Sequence, residues 1–158
     1  MTDLLVKLYN LPDPGPHLAA LSDKEILVRR AMASEQHRVV GWVQDLFGDG
    51  WAAECRVAFA RMPLACMIAV FEGRIAGFAC HDTTCLNFFG PIGIDPGFRH
   101  KGIGQALLLV TLNAMAHAGY AYAVVGGAGP LAFFERCVGA MPIPGSTPGI
   151  YRPAVKQR

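Results

Sequence analysis

Charge is scarce in this chain and nearly balanced. Its 158 residues carry 14 Lys plus Arg against 12 Asp plus Glu, a formal net charge of +2. A field so weak gives little grip on nucleic acid or on an anionic membrane, and neither is expected as a partner. The cysteines lack a pattern. Cys55, Cys66, Cys80, Cys85 and Cys137 make an odd, scattered set without a Cys-x-x-Cys pair. They read as small buried hydrophobes in a reducing cytoplasm, neither a disulfide framework nor a zinc site, so no metal is expected. Met1 to Leu11 is too short, and too interrupted by Asp3, Lys7 and Asn10, to read as a secretory leader.

Charge vanishes altogether between Gly102 and Phe134, a stretch without Asp, Glu, Lys or Arg. A membrane span needs about 20 predominantly apolar residues. Here Gln105, Thr111, Asn113, His117, several glycines and Pro130 interrupt the run, so a buried helix followed by a buried strand is the better reading. What the chain does have is apolar bulk. It is 53% hydrophobic and 16% charged, which marks a globular chain. Its length fits one domain able to bury about 70% of its unfolded surface.

Residues 1–25 read as an amino-terminal extension ahead of a single domain over 26–158. Leu4–Tyr9 has strand character and offers an edge to a second copy, so a homodimer is conceivable; the Pro-rich run Pro12–Pro16 then breaks it. Ile26–Arg30 reads as the first core strand. Ser34 with Glu35 can cap a helix through Phe47, whose Val39, Val40, Val43, Leu46 and Phe47 recur at helical spacing. A second helix runs from Trp51 to Arg61. Cys66–Phe71 and Ile75–Cys80, joined by Glu72-Gly73-Arg74, read as a hairpin. Phe88–Ile94 is the next strand, Gln105–His117 a helix, Tyr120–Val125 a buried strand and Pro130–Cys137 a short helix begun by proline. Antiparallel strands followed by a strand–helix–strand unit predict an α/β fold: a mixed, mostly antiparallel central sheet flanked by helices.

The chemistry concentrates at Arg99-His100-Lys101-Gly102-Ile103-Gly104, where a strand gives way to the longest helix. Each glycine on a first helical turn costs roughly 1 kcal/mol relative to Ala, so the sequence has a use for bare backbone there. The opening N–H groups of a helix lack internal partners and carry the positive end of its dipole, which suits a polyphosphate. Two rival motifs are excluded. A dinucleotide loop needs a third glycine where Leu107 stands, and a nucleotide-triphosphate loop needs Gly-Lys followed by Ser or Thr.

Arg-x-x-Gly-x-Gly, approached by Ile92-x-Ile94-Asp95-Pro96 and followed by Phe133-Phe134-Glu135-Arg136, resembles the acetyl-CoA loop of the GNAT superfamily of N-acetyltransferases. The resemblance implies a strand–helix–strand acetyl-CoA unit within the sheet. It implies that Arg99, His100, Lys101, Gly102, Ile103, Gly104 and Gln105 hold the diphosphate. It also implies that Ile92 and Ile94 pair through their backbone with the pantetheine arm. Gly93, in a strand interior, fits a bulge or the close approach of another chain or a ligand. Many relatives carry Tyr where Phe134 stands, as the acid that protonates the departing thiolate. Here Phe134 reads as packing, or as a ring lying along the pantetheine. A thiol pKa of about 8.5 makes the thiolate a tolerable leaving group without that acid. The Asn usual after the fifth strand is replaced by Gly126 or Gly127.

The catalytic residues stay unassigned. Glu54, Asp82, His81 and Tyr151 are each able to serve as a base, directly or through water, and each also reads as a solvated surface group. Trp42, Trp51 and Glu54 lie on helices that would wall the acceptor site. The expectation is a cytoplasmic acyltransferase moving an acetyl group from acetyl-CoA to a primary amine, on a small molecule or a peptide, by direct attack. The alternative is a CoA-binding sensor or interaction protein without catalysis.

Overall fold

The hairpin expected at the centre of the sequence forms the centre of the sheet. In the computed structural model, which describes residues 1–152, 155 and 156, strands β3 (Cys66–Phe71) and β4 (Arg74–His81) pair antiparallel around a turn at Glu72 and Gly73. Both turn residues take positive φ, 48° and 73°. The β-branched Ile26 and Val28 help β2 (Ile26–Arg30) add to one side, and β5 (Phe88–Ile94) adds to the other. The full order is β2-β3-β4-β5-β6-β1-β7, with β1 at Leu4–Lys7, β6 at Tyr122–Val125 and β7 at Met141–Pro142. Among the described residues, only β5 and β6 run parallel; every other neighbouring pair is antiparallel.

Strand alternation divides the core into two faces. Cys66, Ile68, Phe78 and Cys80 project toward helices α2 (Gln36–Phe47) and α3 (Asp49–Phe59), whose Val39, Val43, Ala52 and Phe59 complete that side. Met67, Ala69, Ala79 and Phe89 belong to the other side, under α4 (Ile103–His117). Helix α4 crosses between β5 and β6, as a parallel pair requires. Residues Ala106 to Leu109 are buried in succession, so this helix is covered nearly all round. Leu8, Leu11, Leu18 and Leu21, on a short 3-10 turn (Leu8–Asn10), on α1 (Gly15–Ser22) and between them, supply the outer cover. The last helix, α5 (Leu131–Val138), follows β6.

That cover corrects the boundary expected after residue 25. Leu4 and Val6 are fully buried, and β1 lies inside the sheet between β6 and β7. With neighbours of its own chain on both sides, β1 is not the strand that would pair with a second copy. Helix α1 had no clear apolar period, and Pro14 and Pro16 hid it; proline is tolerated in a first helical turn. The cap of α2 differs too. Ser34 makes no cap, whereas Glu35 accepts from the Met32 N–H at 2.8 Å and pairs with Arg29 at 2.6 Å. Tyr122 is exposed, so β6 is buried only in part. Among the described residues, no helix is long and apolar enough to cross a membrane.

Two measurements follow. Leu4→Ala should destabilise the whole domain by about 2–5 kcal/mol in denaturant unfolding, since it empties a core position; a change confined to a local transition would contradict an integral β1. The Arg29 guanidinium and the Met32 N–H hold the Glu35 carboxyl down to about 2. A lowered folded-state pKa means stability that is full above the unfolded value and lost as pH falls through the folded one. The gap in stability between wild type and Glu35→Gln should therefore be constant near neutrality, shrink below about pH 4.5 and close near pH 2.

Candidate active site between β5 and β6

The parallel pair is short. Only Phe88 and Phe89 face partners on β6, namely Val124 and Val125, before the chain of β6 turns away at Gly126. From Gly90 to Ile94, β5 keeps β4 on one side and has no strand on the other. The register settles which groups are left free. Asp95 N–H donates to Ala76 O at 2.9 Å, so Gly77 and Ile94 form a non-hydrogen-bonded pair, as do Ala79 and Ile92 two residues away. The amides and carbonyls of Ile92 and Ile94 consequently point away from β4, into the gap that β6 has left.

That gap is a cavity of about 610 Å³. Gly90, Pro91 and Ile92 line one wall and Val125 to Pro130 the other, with Phe134 of α5 between them. Trp51 and Glu54 of α3, with Thr84 beside them, close the side toward the helices. The Thr84 hydroxyl donates to Glu54 Oε1. Tyr151, in a 3-10 turn near the carboxyl end (Gly149–Tyr151), closes the far side. A Cβ on Gly126 would stand 2.5 Å from the Tyr151 hydroxyl and 2.9 Å from the Phe88 ring, so only glycine fits there. Burial pushes the Tyr151 phenol above its ordinary value, helped by the negative charges of Asp3 and Glu54. Asp3 also fixes the turn itself: its Oδ1 accepts from Gly127 N–H at 2.7 Å, while its own N–H donates to Ser146 Oγ at 2.8 Å. A buried acid just ahead of β1 thus ties the cavity wall to the carboxyl-terminal segment.

Helix α4 begins at the same end of the sheet. Gly102 caps it in the left-handed conformation (φ 87°) without any side-chain cap, and His100 also has positive φ, 62°. The amides of Ile103, Gly104 and Gln105 have no acceptor among the described residues. The two glycines stand there for different reasons. Gly102 is required by its φ. Gly104 is not required by the protein at all: a Cβ would meet only Phe133 at 3.7 Å and Ile94 at 3.8 Å, ordinary contact distances. Glycine here costs stability without serving the packing, and it leaves the backbone bare at the start of α4.

The expected cofactor residues therefore fall in two adjoining places. Arg99, His100, Lys101, Gly102, Ile103, Gly104 and Gln105 form the mouth of α4; Ile92 and Phe134 line the cavity. Ile94 and Phe133 join the two, since both approach Gly104 and Phe133 packs edge-on against Phe134 at 5.1 Å. Gly93 is not at the bulge: the register shift lies farther along, between Ala79 and His81, and what comes close is the protein's own Phe47 ring, 2.6 Å from where a Cβ would stand. Trp42 packs on Phe47 and Phe78 instead of lining the cavity, unlike Trp51 and Glu54.

The four candidate bases separate as well. His81 and Asp82 are buried away from the cavity in a network of their own. His81 Nδ1 lies 2.7 Å from Asp82 Oδ2, and Asp82 Oδ1 accepts from Asn87 N–H and from the Tyr120 hydroxyl. Glu54 and Tyr151 face the cavity. Thr84 and Asp3 went unnoticed in the sequence because neither sits in a motif; only the fold brings them to the site.

The open strand edge, the cavity and the bare helix start together suit an elongated ligand with an anionic segment at α4 and a group to be transferred beside Glu54. Comparison with known proteins agrees. The model of the Acetyltransferase (GNAT) family matches residues 8–139. Among solved structures, the chain is similar to a GCN5-related glucosamine N-acetyltransferase region of a fungal multi-domain GH3 β-N-acetylglucosaminidase (TM-score 0.73, 15% identity, 90% of this chain and 19% of that one). It is similar to a GCN5-related N-acetyltransferase from Sphaerobacter thermophilus (TM-score 0.63, 16% identity, 90% of this chain and 48% of that one). A third likeness is to a GNAT family acetyltransferase from Brucella melitensis in complex with acetyl-CoA (TM-score 0.54, 14% identity, 70% and 80% coverage). The chain thus spans about a fifth and about half of the first two, and at such identities these likenesses speak for the fold. No match is found among curated proteins. A family match over residues 8–139, most of the chain, makes this protein a member of the acetyltransferase (GNAT) family.

Proposed function

We propose that the protein transfers an acetyl group from acetyl-CoA to a primary amine by direct attack, in a reducing cytoplasm. The observation that carries this reading is the unpaired edge of β5, where the backbone of Ile92 and Ile94 faces a cavity that opens beside the start of α4. When bound, acetyl-CoA supplies the activated acyl group as a thioester. The residues fit it. The free amides of Ile103, Gly104 and Gln105 donate to the oxygens of a diphosphate, and the exposed cations Arg99 and Lys101 add charge at the same point. Ile92 and Ile94 offer strand-like hydrogen bonds to the amide groups of a pantetheine arm, as in β-augmentation. An N–H of that edge, aimed at the acyl carbonyl, stabilises negative charge as it develops on the oxygen.

Glu54, held by Thr84, draws the amine toward the cavity and accepts a proton from it, directly or through water. Trp51 and Phe134 exclude water around it. Phe134 is buried and packs against Phe89, so the chain offers no acid at that position. Orienting two reactants supplies about 7–11 kcal/mol, more than the 10²–10⁴-fold of a general acid, and the thiolate leaves unaided.

The missing hydroxyl at Phe134 favours one second reading, a CoA-binding protein without turnover. Release of free thiol from acetyl-CoA, followed against a panel of primary amines, separates the two: amine-dependent release supports the enzyme, and binding without release across the panel supports the sensor. Absence of acetyl-CoA binding at millimolar concentration would overturn both. The cradle has its own test. Gly104→Ala should gain about 0.5–1 kcal/mol of stability from helix propensity yet bind acetyl-CoA at least tenfold more weakly, and Gly104→Val more weakly still. Unchanged affinity in both variants would remove α4 from the binding site.

A further inference from the structure

Three of the five cysteines, scattered in the sequence, meet in the fold. Cys55 on α3, Cys66 on β3 and Cys80 on β4 are each fully buried, and their sulfur atoms all lie within 4.8 Å of one another. Two of them are set by the sheet. Cys66 faces Cys80 across the hairpin, and His81 N–H donates to Ala65 O at 3.0 Å, which makes the facing residues a non-hydrogen-bonded pair, the closer of the two kinds. Their side chains leave the same face, and α3 lays Cys55 over them. The cluster lies on the face opposite α4, away from the cavity residues of β5 and β6.

Packing alone does not call for this arrangement. Beyond one another, the thiols have a single weak acceptor, Met67 O at 3.9 Å from Cys66 Sγ. They share an apolar cluster with Phe59, Phe78, Ala52, Ala58 and Ala65, and among the described residues no His or carboxylate joins the group. A soft metal ion answers these features. With metal–sulfur bonds of about 2.3 Å, three thiolates around one ion stand about 4 Å apart, so sulfur atoms already within 4.8 Å need only a small inward adjustment. Thiolate ligands select soft ions over magnesium or calcium. A divalent ion leaves one net negative charge in an apolar shell; a monovalent ion would leave two, at greater cost.

We propose that Cys55, Cys66 and Cys80 form a buried three-thiolate site for a soft divalent metal ion. On binding, three S–H bonds break, three metal–sulfur bonds form and three protons pass to solvent; nothing is oxidised or reduced. The ion would lock α3, which carries Glu54 and Trp51, onto the β3–β4 hairpin.

Cadmium is the probe, added to the reduced full-length protein both in its native state and during refolding from denaturant, because the site is closed in the folded chain. Cys85→Ser removes the one exposed thiol and serves as the background. One equivalent of Cd²⁺ should be retained after desalting, with the ultraviolet charge-transfer band of cadmium thiolate and a raised melting temperature. X-ray absorption at the cadmium edge should count three sulfur neighbours, a measurement that needs no further variant. Cys55→Ala, chosen because α3 lies at the outer side of the cluster, should abolish retention. Uptake no greater than that of the Cys55→Ala protein, or a shell of oxygen and nitrogen in place of sulfur, would overturn the site.

Discussion

The parting of β5 from β6 is the constraint on which the rest of this molecule depends. Parallel strands joined by one helix ordinarily pair along their length, and here they pair through two residues before β6 ends and the chain swings off at Gly126 and Gly127. That departure leaves the Ile92 and Ile94 backbone groups unsatisfied by the sheet, which buried polar groups seldom tolerate without another partner. It also places the gap at the carboxyl ends of both strands, where helix α4 starts, the place where open α/β sheets bind ligands. Strand edge, cavity and helix mouth are thus one consequence of where β6 stops. Asp3 holds that stop in place, by accepting from Gly127 N–H and anchoring Ser146 on the opposite side.

The amino-terminal segment and the uncharged stretch explain each other. Helix α4 is apolar around nearly its whole circumference, which suits a membrane span or a helix enclosed on every side. Enclosure needs material outside the sheet, and Leu8, Leu11, Leu18 and Leu21 provide it from the first 25 residues. The segment that the sequence presents as an appendage is therefore half of the housing of α4. Pro12, Pro14 and Pro16 disguised it, since they look like punctuation and one of them sits inside a helical first turn. The strand before them, β1, then takes the place beside β6, with β7 at the edge beyond it.

What could be read from the residues was local: the hairpin, the amphipathic α2, the strand ending at Asp95-Pro96-Gly97 and the glycine-marked start of α4. These rest on propensity, period and turn chemistry, all of which act over a few residues. What could not be read was whatever depends on approach in three dimensions. Gly93 looked like a ligand contact because a glycine in a strand signals that something comes close; the sequence has no way to say that the something is the Phe47 ring. Cys55, Cys66 and Cys80 looked unrelated because a helix and two strands separate them in the chain, and only the pairing of β3 with β4 beneath α3 brings them together. His81 and Asp82 looked like candidates for a cleft and proved to be buried beside Tyr120. Glu54 was named on chemical grounds, but Thr84, the hydroxyl that orients it, carries no signal of its own.

A site built chiefly from main-chain groups leaves a faint trace in side chains. The amides at α4 ask for one glycine at the cap and one on the first turn, and the edge of β5 asks only for a strand whose neighbour departs. Almost any apolar residue can fill the positions of Ile92 and Ile94 while presenting the same backbone to the gap. This is why a TM-score of 0.73 coexists with 15% identity between this chain and the fungal N-acetyltransferase region. The fold repeats while the sequence drifts, because the geometry that matters is carried by peptide groups common to every residue. The same reasoning tells where specificity resides. Under the proposed acetyl transfer, the backbone edge would hold any carrier of the same shape alike, and discrimination among acceptors would fall to the few side chains elsewhere around the cavity: Trp51, Glu54, Thr84 and Tyr151. All four are polar or carry a polar tip, and two, Glu54 and Thr84, are already hydrogen-bonded to each other. An acceptor that enters must either displace that bond or align with it, and a cationic amine meeting the Glu54 carboxylate is the kind of group that gains by doing so.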